Sequence, residues 1–255
     1  MKHLVIPDTQ IKPGVPLDHI KWAAQFIVEK KPDVIVQIGD WADMQSLSSY
    51  DVGKKDFEGR TYNADIEVAN DALSMFMAPI NEEKARLKRN KEKSWNPRLI
   101  YTVGNHEQRI PKAINNDRKL DGLISLDDLK FREFGWEVHD FLEPVIVDGI
   151  AYCHYFTTGV MGRPVTSARA MSTKKHMSCT MGHVQTTEID MSSVRADGTP
   201  IIGLFAGCFC LHDEDYLGPQ GNPVHRQLWV KHEVNNGFYY PMPVSINYLE
   251  RKYGR

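Results

Sequence analysis

Side chains with metal-binding or acid-base chemistry follow several apolar runs of this sequence. The first run, LVIP, is followed by Asp8-Thr9-Gln10. Residues two apart on an extended chain point to the same side, so Asp8 and Gln10 can offer two oxygen atoms to one cation. The other interpretation is that Asp8 begins the turn before Pro13-Gly14, because Asp is a common turn former. The remaining apolar runs bear on this choice.

Four more apolar runs end on residues of the same kind. The donors that follow them are Asp40 and Asp43, then Asn105, His106 and Glu107, then His154, and finally His183 and Gln185. Each piece alone has an ordinary explanation, since Gly-Asp and Gly-His are common turn dipeptides and a histidine in an aromatic strand is usually a core residue. Open α/β sheets bind their ligands at the carboxyl ends of strands. Five such ends with oxygen and nitrogen donors therefore indicate one shared site.

The elements that must position these donors change in kind along the chain. Apolar runs at 3–7, 33–39 and 98–103 alternate with helical patterns at 16–31 and from about residue 65, where Pro79 predicts a kink. This alternation is typical of βαβ units with a parallel sheet. From about residue 135 the pattern predicts short strands at 135–139, on both sides of Asp148-Gly149, and at 177–182, 186–194 and 200–210, with one helix at 165–176.

Composition limits the class of protein. The chain has 255 residues and a formal net charge of -2, which gives no general attraction to nucleic acid or an anionic membrane. It lacks an apolar run of membrane-spanning length and a secretory signal, and its four cysteines lie in apolar runs. We therefore expect a cytoplasmic protein with one domain over 1–255. Cys208-Phe-Cys210 fits either a zinc ligand pair or two small buried residues on a strand.

Two common kinds of catalytic motif are absent from the sequence. It contains no Gly-x-Ser-x-Gly elbow for a serine nucleophile and no Gly-x-x-x-x-Gly-Lys-Ser/Thr loop for nucleoside triphosphates. Metal-assisted hydrolysis needs neither of them, because its nucleophile is water.

The order and spacing of the donors resemble the calcineurin-like metallophosphoesterases over residues 1 to about 190. The motifs are Asp-x-Gln, Gly-Asp-x-x-Asp, Gly-Asn-His-Glu at 104–107, a single strand histidine and Gly-His-x-Gln. The resemblance implies an α/β fold in which two mixed β-sheets pack face to face and are flanked by helices, a four-layer α-β-β-α sandwich. It also implies two metal ions, with a bridging water or hydroxide that attacks phosphorus in line.

The same resemblance assigns roles to individual residues. Asp40 would bridge both metals, and Asn105, His154 and His183 would complete the second site. Asp8, Gln10 and Gln185 would form the first. His106 matches the histidine that protonates the leaving oxygen or stabilises charge on the phosphate. Asp43 is the expected carboxylate partner of His106, with Glu107 as the alternative.

The sequence departs from the family pattern at two positions. Positions 10 and 185 are usually histidines, and here both are glutamines, Gln10 and Gln185. Because the two positions serve the same metal, the paired change predicts a first site made only of oxygen, which suits hard ions such as Mg²⁺ or Mn²⁺. We expect two divalent ions, with Mn²⁺ favoured and Mg²⁺, Zn²⁺, Fe²⁺ or Ni²⁺ as alternatives. The other interpretation is that the first site stays empty. The compact chain and this substituted motif resemble phage-encoded members of the family.

The predicted function is a phosphodiesterase that acts on nucleic acid or nucleotides. A phosphomonoesterase acting on phosphoproteins or small metabolites, and a binding scaffold without activity, are the alternatives. Two segments outside the motifs are expected to shape specificity, an insertion or lid at about 44–95 and a C-terminal region at about 205–255. Asn105, His106, Arg163 and His212 are the expected substrate contacts, and Trp41 and Tyr50 are candidates for stacking or for packing.

Overall fold

The computed structural model describes residues 1–49, 57–213 and 224–254 of the chain. Within these ranges the chain forms eleven strands and five α-helices. The strands are β1 (His3–Ile6), β2 (Val34–Gln37), β3 (Arg98–Thr102), β4 (Glu137–His139), β5 (Val145–Val147), β6 (Ile150–Tyr152), β7 (Ser178–Met181), β8 (Thr187–Val194), β9 (Pro200–Ala206), β10 (Gln227–Asn235) and β11 (Phe238–Ser245). The helices are α1 (Asp18–Lys30), α2 (Tyr62–Arg89), α3 (Arg109–Asn116), α4 (Ala168–Lys175) and α5 (Ile246–Tyr253).

The strands form two mixed sheets. The first has the order β11-β10-β1-β2-β3-β4, in which β1 to β4 are parallel. Strand β10 pairs antiparallel with β1, and β11 pairs antiparallel with β10. The second has the order β5-β6-β7-β9-β8, in which β6, β7 and β9 are parallel. The carboxyl ends of the parallel strands are where the sequence places its donor residues.

Three apolar cores separate the layers. Strand β1 shows how: Leu4 and Ile6 pack with residues of α1 and α2 in one core, whereas Val5 packs with Tyr152 and Leu204 of the second sheet in another. Successive strand side chains point to opposite faces, so one short strand supplies both cores. A third core lies between the second sheet and α4. The layers are therefore helix, sheet, sheet and helix, which confirms the predicted four-layer sandwich.

Local sequence signals explain several helix boundaries. Thr61, Ser167 and Ser245 precede α2, α4 and α5, and each side chain accepts a hydrogen bond from a backbone N–H of the first turn. Helix α2 continues as one helix on both sides of Pro79. No helix in the described ranges combines the length and the apolar character that a membrane span requires.

Candidate metal centre

Five strand ends bring the predicted donors to the same edge of the two sheets. Asp8, Asp40 and Asn105 follow the adjacent parallel strands β1, β2 and β3 of the first sheet. His154 and His183 follow the adjacent parallel strands β6 and β7 of the second sheet. The site thus lies where the two sheets face each other, and neither sheet supplies it alone.

Asp40, His154 and His183 form a compact group. One potential ligand atom of each lies within 4.8 Å of the others, and no other set of three or more His, Cys, Asp and Glu residues in the described ranges meets this spacing. Asn105 joins them, because its Oδ1 lies 2.8 Å from His154 Nε2 and 2.7 Å from His183 Nδ1. The other ring nitrogen of His154, Nδ1, donates to the carbonyl of Ile38 at 3.0 Å. That hydrogen bond leaves Nε2 as the ligand atom, as in many metal sites.

The electrostatics of this group favour a bound cation. Asp8 and Asp40 are both buried, and burial together with the neighbouring Asp40 raises the pKa of Asp8 to about 7. Burial also acts on Asp40, but the nearby His106 and His154 outweigh it and hold the pKa of that carboxyl well below its usual range. Two buried carboxyl groups that disfavour each other's charge are stabilised by positive charge. The donor set therefore fits a divalent metal ion with mixed oxygen and nitrogen ligands.

Glycines allow the strands to approach this closely. A Cβ atom on Gly104 would lie 2.1 Å from Asp40 Oδ1, and a Cβ atom on Gly182 would lie 2.2 Å from Asp8 Oδ1. Any side chain at either position would therefore displace a donor carboxylate. The two glycines thus give the carboxylates of Asp40 and Asp8 the space that they occupy.

Four of the predicted ligands have left-handed backbones. The φ angles are 44° at Gln10, 50° at Asp40, 68° at His183 and 55° at Gln185. Residues other than glycine rarely adopt such angles, and each costs on the order of 1–3 kcal/mol unless the surroundings impose it. The sequence carried no signal of this strain, which positions outside the site such as Met44 and Asp148 share.

His106 is paired with a carboxylate beside Asp40, Asn105, His154 and His183, which together we call the metal group. Its Nδ1 donates to Asp43 Oδ1 at 2.7 Å and to the Asp43 carbonyl at 2.8 Å, while its Nε2 lies 3.7 Å from Asp40 Oδ2. Burial alone would lower the pKa of His106, but Asp40 and Asp43 raise it to about 9. His106 is therefore held in its protonated form, suited to donate a proton or a hydrogen bond.

Asp43, and not Glu107, is the partner of His106. The Asp43 carboxylate also lies 3.3 Å from Lys12 Nζ and 3.3 Å from Arg109 Nη1. Glu107 is fully buried, and its carboxylate accepts the backbone N–H groups of residues 40, 42 and 104. Glu107 thus fastens the Asp40 turn to the Gly104 turn, which is a positioning role.

The predicted first-metal residues lie beside the group. Asp8 accepts the backbone N–H of His183 at 3.0 Å. The backbone N–H groups of Thr9 and Gln10 both donate to the Asp40 carbonyl, and Gln10 is buried. Gln185 follows His183 by two residues and is half-buried. The turns that carry Asp8 and Gln10 are thus hydrogen-bonded to those that carry Asp40 and His183, while the roles of the two glutamines as ligands stay predictions.

A cleft of about 540 Å³ opens onto Asn105 and His183. Its remaining described lining is Ser46, Leu47, Ser48, Ser49, Phe57, Arg109, Lys112, Ala113, Asn116, Tyr155 and Pro164. Of the expected substrate contacts, Arg163 is exposed next to Pro164 and His212 is half-buried, and neither belongs to this lining. Asn105 and His106 lie at the metal group.

The two aromatic candidates have different outcomes. Trp41 is buried in the core, where its ring makes edge contacts with Phe76 and Phe131 and its Nε1 donates to the Ala69 carbonyl. It packs and does not face the cleft. Tyr50 lies outside the described residues.

The sequence interpretation missed Arg109, Lys112, Asn116 and Tyr155 as cleft residues. The first three have the spacing i, i+3 and i+7, which places them on one face of α3. This spacing was a readable signal, but helix α3 itself was not predicted. Tyr155 directly follows His154 in the sequence.

No protein-family model matches the chain, and no curated protein matches it. Among solved structures, the chain is similar to one described as "Structural and biochemical characterization of Yfce, a phosphoesterase from E. coli". The two chains are 12% identical, with a TM-score of 0.39, over 97% of this chain and 100% of the other.

Proposed function

We propose that this protein is a metal-dependent phosphoester hydrolase, and specifically a phosphodiesterase that acts on nucleic acid or nucleotides. The observation that supports this most strongly is the position of the His106–Asp43 pair. It supplies a protonated imidazole 3.7 Å from a carboxylate of the metal group. A cation site next to a general acid is the minimal machinery for displacing an alkoxide from phosphorus.

The proposed metal ligands are divided between two positions. Asp40, Asn105, His154 and His183 would hold one ion, and Asp8, Gln10 and Gln185, together with Asp40, would hold the other. When bound, such ions neutralise phosphate oxygens and lower the pKa of water to produce the nucleophile. Mn²⁺ is the proposed ion, because it accepts both imidazole and oxygen ligands.

His106 is proposed to act on the leaving group. Its Nδ1–H is held by Asp43, which fixes the ring orientation and leaves Nε2–H to face the metal group. From there it can donate a proton to the departing oxygen, a contribution of about 10²–10⁴ in rate. The hydrogen bond and charge of His106, followed by the charges of Lys12 and Arg109, outweigh burial and hold the pKa of the Asp43 carboxyl well below its usual range.

The proposal also covers domain organisation and location. We treat residues 1–255 as one domain in which the segment at about 44–95 supplies Ser46, Ser48 and Phe57 to the cleft wall. The C-terminal region contributes β10 and β11 to the first sheet and α5 to the helices packed on that sheet. All four cysteines are buried and none forms a disulfide, which supports a reducing compartment such as the cytoplasm.

The experiment is hydrolysis of bis-p-nitrophenyl phosphate and p-nitrophenyl phosphate by metal-stripped protein, with Mn²⁺, Mg²⁺, Zn²⁺ or Ni²⁺ added back separately. We expect metal-restored cleavage of the diester, fastest with Mn²⁺. Cleavage of the monoester alone would replace the diesterase by a phosphomonoesterase. No turnover of either ester with any ion would contradict the proposal and favour a binding scaffold.

A further inference from the structure

Helix α3 forms one wall of the cleft that leads into the metal group. Arg109, Lys112 and Asn116 all line this cleft from the same face of the helix. Seven residues of helix separate the first from the last, which is about 10 Å along the axis. The wall is thus longer than a single phosphate group requires.

The charges on this wall have different surroundings. Arg109 is anchored, because its Nη1 donates to the carbonyls of Asp43 and Met44 at 2.7 and 3.2 Å. Lys112 differs: the structure gives its ammonium group no ion pair or hydrogen bond among the described residues. No acidic side chain belongs to the described lining of the cleft. A ligand that occupies this end of the cleft would therefore need a negative charge.

The ring of Tyr155 also lines this cleft. Tyr155 is half-buried, its ring centroid lies 4.6 Å from that of His183, and its edge contacts Phe141 at 5.5 Å. These two contacts fix the ring beside the metal group. Basic side chains and an aromatic ring in one cleft are the combination by which proteins hold single-stranded nucleic acid, with phosphates near the basic groups and a base stacked on the ring.

We propose that Lys112, Asn116 and Tyr155 form a subsite for the nucleotide next to the scissile phosphate, so that the substrate is a single-stranded oligonucleotide. Lys112 contacts the neighbouring phosphate, Asn116 offers its carboxamide to phosphate or sugar, and Tyr155 stacks on the base. The inference rests on the proposed function and narrows its substrate class. A small diester or a monoester fills the metal group and leaves this subsite empty.

The test compares kcat/KM for a single-stranded 12-residue oligonucleotide with kcat/KM for bis-p-nitrophenyl phosphate in the Mn²⁺-loaded protein. Lys112→Ala should lower the ratio of the two values about tenfold and reduce the slope of log affinity against log salt by about 0.7, as expected for one lost phosphate contact. Lys88→Ala is the matched control, because Lys88 is an exposed helical lysine outside the cleft lining. It should change the ratio less than twofold.

Tyr155 provides a second variant. Tyr155→Leu should lower the same ratio at least fivefold, and Tyr155→Phe should restore it, because stacking needs the ring and not the hydroxyl group. The subsite would be overturned if Tyr155→Leu and Tyr155→Phe lowered the ratio equally and Lys112→Ala left the salt slope unchanged.

Two outcomes separate this inference from the proposed function. If the protein cleaves the small diester but Lys112→Ala leaves the ratio unchanged, or the oligonucleotide is not cleaved, the inference is wrong and the proposed function stands. If no ester is cleaved, fluorescence anisotropy of a labelled oligonucleotide still tests the subsite. Salt-dependent binding that Lys112→Ala weakens supports it, and binding that is absent or unaffected overturns it.

Discussion

Two polar clusters lie between the sheets, and they differ in their access to the cleft. The first is the metal group at the strand ends. The second, which we call the Lys231 cluster, consists of His3, Asp148, Tyr152, Thr180, Lys231 and Tyr239 near the start of β1. His3 of β1 is in register with Lys231 of β10, and Lys231 is fully buried.

The Lys231 cluster is held by contacts among its own members, although the buried Tyr239 hydroxyl has no hydrogen-bond partner among the described residues. His3 Nδ1 lies 2.8 Å from the Tyr152 hydroxyl, and its Nε2 lies 2.8 Å from Asp148 Oδ2. The Lys231 amino group donates to the Thr180 hydroxyl, and its Nζ lies 4.4 and 4.3 Å from the ring centroids of Tyr152 and Tyr239. In the metal group, by contrast, Asn105 Oδ1 lies 2.8 Å from His154 Nε2 and 2.7 Å from His183 Nδ1, beside an open cleft. Buried polar residues thus indicate a site when potential metal ligands converge beside a cleft.

The largest effect is expected at Asp40, the shared carboxylate of the metal group. Asp40→Asn should lower diester hydrolysis at least about 10³-fold, because it removes charge from both proposed metal positions. Steady-state kinetics and Mn²⁺ titration calorimetry measure the two losses together. Lys231→Met, in the other cluster, should keep kcat/KM within twofold. Equal losses in the two variants would remove the distinction between the clusters.

The next largest effect is expected at His106, where a loss of turnover can be distinguished from a loss of metal binding. His106→Gln should lower kcat about 10²–10⁴-fold, because it removes the proton donor to the leaving group, while Mn²⁺ affinity changes less than about threefold. Calorimetry and kinetics on the same sample provide both values. His232→Gln, a half-buried histidine of β10 outside the site, is the control. A His106→Gln protein with full turnover would refute the role of the His106–Asp43 pair.

A smaller effect concerns the pH dependence of stability in the Lys231 cluster. Burial lowers the pKa of Lys231 well below 10.5, so below pH 10.5 the unfolded chain binds a proton that the folded chain excludes. The free energy of unfolding should therefore rise with pH over this window, by up to about 1.4 kcal/mol per pH unit from this group.

Urea denaturation at pH 7, 8 and 9 measures that slope. Lys231→Met should reduce the slope, whereas Lys88→Met, at an exposed position, should leave it unchanged. The same slope in the wild type and in Lys231→Met would show that Lys231 is charged in the folded protein.

The smallest effect sharpens the identity of the metal. Replacing both Gln10 and Gln185 by histidine should raise the affinity for Zn²⁺ about tenfold relative to that for Mn²⁺, because imidazole is a softer ligand than a carboxamide. Competition titrations with a chromogenic chelator give both affinities. An unchanged preference would show that these glutamines are not ligands.

Much of this architecture follows from local sequence patterns. The strand ends at Asp8, Asp40, Asn105, His154 and His183 were predicted as one site, and the structure brings their turns together. Strands β1 to β3 were readable because each contains a short apolar run followed closely by polar residues. The contact between His106 and Asp43 could be predicted because the two residues follow adjacent strands, β3 and β2, at the spacing of the motifs.

Other features depend on pairings that no local pattern records. Strand β10 reads QLWVKHEVN, and its buried lysine interrupts the apolar pattern of a core strand. Lys231 is tolerated only because Thr180 and two tyrosine rings of distant segments surround it. The cleft likewise combines residues of α3, which follows β3 of the first sheet, with Tyr155, which follows β6 of the second, and this is a property of the assembled sandwich.

The most direct test of the metal centre is anomalous X-ray diffraction from crystals grown with Mn²⁺ and measured at the manganese absorption edge. We predict an anomalous peak coordinated by Asp40, Asn105, His154 and His183, with a second peak beside Asp8. The absence of a peak at the first position, in crystals of protein that hydrolyses the diester with Mn²⁺, would contradict the assignment of these residues as the catalytic metal site.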